Sequence, residues 1–208
     1  MERQRRDVIR NRVRILQAAR DAVATGEPLM FNAIARAADV GVGTVYRHFP
    51  SVDALEETLV WEQFERLAES MVGAHGGGVV PVLETYYALL ISDPIFERVA
   101  ARTDPTLERT RRLRDELTAT LQAMIATEVD EGRLCDGLTA ADLLALLCGL
   151  GQAARTLGLT PRSPRATILL SYVLNGIRTI ALQVPSDSLD SPKEDRQNHP
   201  TARLVSRS

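Results

Sequence analysis

Thr44, Tyr46, Arg47 and His48 set four hydrogen-bonding side chains close together with no acid among them. A hydroxyl, a phenol, a guanidinium and an imidazole can all donate to phosphate oxygens and to the acceptor edges of bases, which is what a helix lying in a DNA groove requires. Val45 and Phe49 are four apart, so on a helix they share a face and point inward, leaving the four donors outside. Catalytic chemistry finds no comparable set. His48, His75 and His199 lie in unrelated segments, no Ser or Cys has a plausible base beside it, and Gly76-Gly77-Gly78 follows no strand, so it reads as a linker and not a phosphate cradle. Cys135 and Cys148, thirteen apart with no nearby His pair, are neither a disulfide framework nor a zinc pattern. No catalytic residue, cofactor or metal is expected, and the chain does not read as an enzyme.

The elements that position these donors are helices. No β-branched alternation flanks a turn as a hairpin would require, whereas helical periodicity is strong. Ile9, Val13, Leu16, Ala19 and Val23 mark the apolar face of a first helix ending before Gly26 and Pro28. A short helix over 31–38, the turn 39–43 and a second short helix over 43–49, stopped by Pro50, follow. Ala35 is small enough for a helix crossing, and Ile34, Ala38, Val40, Val45 and Phe49 supply a small core. Ser51 is placed to cap one long helix reaching Val72, with Asp53 in its first turn. That helix carries two apolar sets, Leu55 and Leu59, then Val60, Phe64, Leu67 and Met71, as a joint between two bodies would.

Past the glycines, Pro81, Asp93-Pro94, Asp104-Pro105 and Ser163-Pro164 look like helix starts, and Thr139 with Asp142 like a capping pair. Helices are expected over 80–91, 94–102, 105–131, 140–157 and 164–183. The fold class expected is all-α: a three-helix helix-turn-helix domain (1–50), a connecting long fourth helix and linker (51–78), a helical-bundle ligand-binding and dimerisation domain (79–184), and a disordered tail (185–208). Residues 1–50 hold nine Arg against five acids, while the remainder holds sixteen basic groups against twenty-two acids. A basic head on an acidic body suits a protein whose head alone meets a polyanion. No apolar run of membrane length and no signal peptide is apparent, so a cytoplasmic protein without a membrane partner is expected.

The string from Ile34 to Leu55, with Gly-Thr-Val-Tyr-Arg-His-Phe-Pro at 43–50, resembles the signature of the TetR/AcrR family of transcriptional regulators over residues 8–60. The resemblance implies that Thr44, Tyr46 and His48 face double-stranded DNA, with Tyr46 and His48 on the phosphate backbone, and that Val42 and Gly43 occupy the base-selecting positions. Arg47 and Ser51 complete the expected DNA-binding set. One position departs: Val52 stands where the family usually has a phosphate-contacting Lys, a loss that Ser51, a free helix N-terminus or the basic lead Arg3, Arg5, Arg6 and Arg10 could offset.

The same resemblance implies a homodimer through the last two long helices. Leu143, Leu147, Leu150, Leu169, Tyr172, Gly176 and Ile180 are the expected interface, with Gly149, Gly151 and Gly176 permitting close approach. A small-molecule effector site is expected among Trp61, Phe64, Met71, Tyr86, Tyr87, Phe96, Met124, Cys148, Gln152 and Arg155. Few acids fall at inward positions, which favours a largely apolar ligand. Two other functions fit the same residues: a DNA-binding regulator whose body only dimerises or meets a protein partner, and a small-molecule enzyme or carrier with a degenerate head.

Overall fold

The computed structural model describes residues 2–73 and 78–179, which form ten α-helices and no strand. Ile180, the expected tail, His75 and Gly76-Gly77 fall outside the described residues.

Helices α1 (Glu2–Ala24), α2 (Phe31–Ala37) and α3 (Val42–His48) build the head. Ile15, Ala18 and Ala19 of α1 join Phe31, Ile34, Ala35, Ala38, Val45 and Phe49 in its core. Ile15, Ala18 and Ala19 follow the i, i+3, i+4 spacing of one helical face. The expected stripe is therefore corrected: Ile9 and Val13 wind off that face and are each 60% exposed. The turn between α2 and α3 lies where expected, and its left-handed residue is Asp39, at φ 48°. Asp39 N–H donates to Arg36 O at 3.2 Å and Val40 N–H to Ala35 O at 3.0 Å, closing α2 as a Schellman turn. Aspartate tolerates this conformation better than most residues, and its carboxylate accepts from Arg14 at 2.8 Å.

The expected single helix over 51–72 is two helices, α4 (Val52–Leu59) and α5 (Trp61–Gly73), separated at Val60, whose φ of −97° and ψ of 11° leave the helical basin. The break lets each apolar set face its own partner. Leu55 and Leu59 are buried before it, Phe64, Leu67 and Met71 after it. Ser51 caps α4 as expected, its Oγ accepting from Ala54 N at 3.1 Å.

The body comprises α6 (Val80–Ser92), α7 (Pro94–Ala101), α8 (Glu108–Asp130), α9 (Ala140–Thr156) and α10 (Pro164–Thr179). Asp93 caps α7 by accepting from Ile95 N and Phe96 N, and Thr139 with Asp142 forms a reciprocal capping box on α9. Asp104-Pro105 does not start α8. Pro105 is buried in the preceding bend, and the helix begins three residues later at Glu108. Ser163, just ahead of α10, donates its hydroxyl to Thr160 O at 2.7 Å.

Helices α6 and α9 meet closely at the centre of the body. A Cβ at Gly151 would lie 2.8 Å from Leu90 Cβ, and Leu90 is fully buried with nowhere to retreat. Gly149 and Gly176, by contrast, have open space around them. Gly151→Val should therefore destabilise the fold by about 1–3 kcal/mol through overpacking. Thermal denaturation measures it, and an unchanged midpoint would mean that the two helices can part without cost.

Candidate nucleic-acid interface and body cavity

On α3 the buried Val45 and Phe49 face the head core, so the outer face is left to the expected donors. Tyr46 is 58% exposed, and its ring rests edge-on against Phe31 at 4.9 Å. Arg47 is exposed and donates to Thr44 Oγ1 at 2.7 Å, while Thr44 and His48 are half-buried. Val42 and Gly43 are exposed at the start of the helix. Ser51 is half-buried, and its oxygen is committed to the α4 cap, leaving its hydroxyl proton for any external acceptor. Val52 turns into the junction between head and body, packing against the core. Arg10 pairs with Asp7 at 2.7 Å, and the side chains of Arg3 and Arg5 lie outside the described residues.

His48 is surrounded by positive charge. Partial burial, then Arg12, then Arg47 hold its imidazole below the usual pKa, so it is neutral at physiological pH. Arg12 itself lies over the Phe49 ring at 4.7 Å. A folded-state pKa below the unfolded one gives stability that is fully present above the unfolded value and lost as pH falls from there through the folded one. An NMR titration of His48 in the free protein should give a midpoint below about 6.5. A midpoint above that value would mean that the two arginines do not act on it.

Head and body are joined by acids on the hidden side of α4. Glu57 is fully buried, accepting from Thr106 N at 2.6 Å, Leu107 N at 2.9 Å and Arg102 at 3.3 Å. Glu56, also buried, accepts from Arg98 at 2.6 Å and from Arg102 at 3.0 Å. Asp53 takes a further Arg102 N–H at 2.9 Å, and Arg109 reaches Thr58 at 3.1 Å while stacking over Trp61 at 4.7 Å. The end of α7 and the start of α8 are thus gripped by α4, the helix that follows the reading helix. The sequence reading missed these residues. Two adjacent glutamates look like a solvated face, and their partners lie more than forty positions away.

A cavity of ≈ 410 Å³ opens on the other side of the same α7–α8 corner, lined by α5, α6, α8 and α9 among others. Of the expected effector-site residues, Phe64, Met71, Tyr86 and Cys148 line it. Tyr86 Oη and Cys148 Sγ lie 3.2 Å apart, and burial pushes both pKa values up, so both groups are neutral. Phe96 stands behind the wall, 5.1 Å from Phe64 and 5.9 Å from Tyr86. Trp61, Tyr87, Met124, Gln152 and Arg155 are not on the lining. Trp61 is taken by Arg109 and by Glu65, to which its indole N–H donates at 2.7 Å. Arg155 is an internal pin, bonded to Leu90 O, to Gln152 and to Glu97. What the sequence reading missed is the α8 wall of Arg114, Leu117, Thr118 and Leu121, whose i, i+3, i+4, i+7 spacing was the available signal.

The last two helices present an apolar outer face. Leu146, Leu157, Ile168 and Tyr172 are 49–70% exposed, with Leu150, Leu169 and Gly176 half-buried beside them. Leu143 and Leu147 are corrected. Both are fully buried in the protomer core and cannot reach a partner.

A short helix with outward donors, held by a three-helix head on an all-helical body, defines a helix-turn-helix DNA-binding protein. Residues 15–58 match the model for bacterial regulatory proteins of the tetR family. The fold is similar to a TetR family transcription regulator from Marinobacter aquaeolei VT8, at 13% identity over 85% of this chain and 98% of that one, TM-score 0.54. It is similar to FadR from Bacillus subtilis, solved in complex with stearoyl-CoA, at 17% identity over 80% and 97%, TM-score 0.54. CprB from S. coelicolor A3(2) gives 19% identity over 85% and 93%, TM-score 0.53. No curated protein matches the chain in sequence. The match lies in the head, over residues 15–58, and the likeness to solved regulators extends the resemblance in fold to the helical body. No helix among the described residues is long and apolar enough to cross a membrane.

Proposed function

We propose that this regulator is a dimeric repressor that binds a pseudo-palindromic operator and is released by a small, largely apolar ligand held in the body. A two-fold dimer through the outer face of α9 and α10 sets two α3 helices in successive major grooves, about 34–36 Å apart when the half-sites are one turn apart. Residues 1–50 then form the reading head, 51–78 the connection and 79–184 the ligand-binding and dimerisation body, with no catalytic role assigned. The supporting observation is the shared corner. Ala100 and Ala101 of α7 and Arg114 of α8 line the cavity, while Arg102, Thr106 and Leu107 of the same stretch grip Glu56 and Glu57 on α4. A ligand that displaces this corner moves α4 and with it the head. Typical coupling of about 1–3 kcal/mol is enough to change operator occupancy. That FadR, similar in fold, was solved in complex with stearoyl-CoA supports the reading that this fold accommodates a small ligand.

The test is an electrophoretic shift with DNA flanking the protein's own coding region, repeated with a compound library, alongside light scattering for oligomeric state. Retarded DNA, a dimeric mass and at least one compound that abolishes the shift are expected. A monomeric particle, or DNA binding that no compound releases, goes against this reading.

A further inference from the structure

Among the described residues Arg114 is the one charged side chain on the cavity lining, whose other members are apolar except for Thr118, Tyr86 and Cys148. Among the described residues it has no carboxylate partner. Its contacts are the carbonyls that end α7, with Nη1 donating to Arg102 O at 2.6 Å and Val99 O at 3.4 Å, and Nη2 to Ala100 O at 3.1 Å. A guanidinium has five N–H groups, so three are used and two are left, together with a positive charge that only carbonyl dipoles offset. The nearby acid Glu97 does not neutralise it, because Arg155 holds that carboxylate at 2.9 Å. Arg114 and Thr118 also line a smaller polar hollow of ≈ 220 Å³ that includes Thr103, Asp104 and Asp115, so they stand where the apolar cavity meets polar surface. Asp104 in that hollow is paired with Arg111 at 2.8 Å, and Asp115 is exposed.

We propose that the cavity takes an amphiphile with a single anionic head, a carboxylate on an apolar chain, the head received by Arg114 and Thr118. This rests on the reading of the cavity as an effector site and names the chemical class of the effector. The carboxylate accepts from the two remaining guanidinium N–H groups and from the Thr118 hydroxyl, while the chain lies against Phe64, Leu67, Met71 and Leu121. A cationic head meets Arg114 and is repelled. A neutral head forgoes the charge-assisted bonds, which are roughly twice as strong as neutral ones. Because Arg114 also holds the α7 carboxyl end next to Arg102, drawing it toward a ligand loosens the corner that grips α4.

The probes are octanoate, 1-octanol and n-octylammonium, titrated calorimetrically into the full-length protein with and without its DNA fragment. Octanoate should bind at least about tenfold more tightly than octanol, and octylammonium more weakly than either. Arg114→Gln should shrink the octanoate preference to about threefold or less while octanol affinity is kept. Thr118→Val, which leaves the α7 carbonyls capped, should lower octanoate affinity alone and guards against a folding defect in the first variant. Equal affinity for octanoate and octanol, a preference for the amine, or no binding of any probe overturns the assignment. Tight octanoate binding that leaves the DNA complex intact supports the anionic site and counts against ligand release instead.

Discussion

Replacing Glu57 by alanine should lower the unfolding free energy by about 3–5 kcal/mol, the usual cost of removing one member of a buried, hydrogen-bonded charge set. The carboxylate is fully buried and accepts from two main-chain amides, Thr106 and Leu107, as well as from Arg102. Alanine leaves both amides without their carboxylate acceptor, so the loss includes their desolvation as well as the ion pair. Set against a total stability of about 5–15 kcal/mol, the change should be plain in a melting curve, at about 2–4 °C per kcal/mol for a chain of this size. Glu57→Gln should fall between, because the amide oxygen still serves one backbone N–H but the charge facing Arg102 is gone. A shift of less than about 2 °C for the alanine variant would show that α4 is not anchored through this carboxylate.

The same variant also bears on coupling. Arg102 reaches Asp53, Glu56 and Glu57, so it keeps two acids when the Glu57 charge is lost, and the head stays tethered although at least one amide of the α7–α8 bend is released. A ligand that acts by moving that bend should then act more weakly on the head. Octanoate affinity is expected to be nearly unchanged in Glu57→Gln, with DNA release needing more ligand than in the parent.

Local rules carried much of this. The reading helix was legible because Val45 and Phe49 share one side of a short helix and leave the donors on the other, a pattern that depends on neighbours within one turn. The caps at Ser51, Asp93 and Thr139 were equally local. The errors came where tertiary contacts decide. The break at Val60 follows from the demands of two different bodies on α4 and α5, and nothing in the local propensities of Val60-Trp61 announces it. Leu143 and Leu147 carry the same side chain as Leu146, yet the first two are buried and the third is 53% exposed, a distinction set by which face of α9 meets α6. Arg155, read as a polar group for a ligand, is spent on Glu97 and the end of α6, whereas Arg114 was overlooked in a helix crowded with arginines.

Tyr46→Phe should have the largest effect on DNA binding of any single-atom change in the head. The phenol is exposed on the outer face of α3, and its ring is held by the edge-on contact with Phe31, so the hydroxyl is presented from a fixed base. Phenylalanine keeps that packing and removes only the donor. A hydrogen bond to a charged phosphate contributes about 1.5–3 kcal/mol. A two-fold dimer makes the contact twice, so affinity should fall by about 3–6 kcal/mol, or 10²–10⁴-fold. Because the lost donor is neutral, the slope of log affinity against log salt should stay close to that of the parent, whereas Arg47→Ala should flatten it if that guanidinium meets phosphate. The loss should also be similar for operator and random DNA, since a phosphate contact positions the helix without reading bases. Fluorescence anisotropy with labelled duplexes at several salt concentrations measures all three. Unchanged affinity in a folded Tyr46→Phe dimer would place the DNA on some other face of the head.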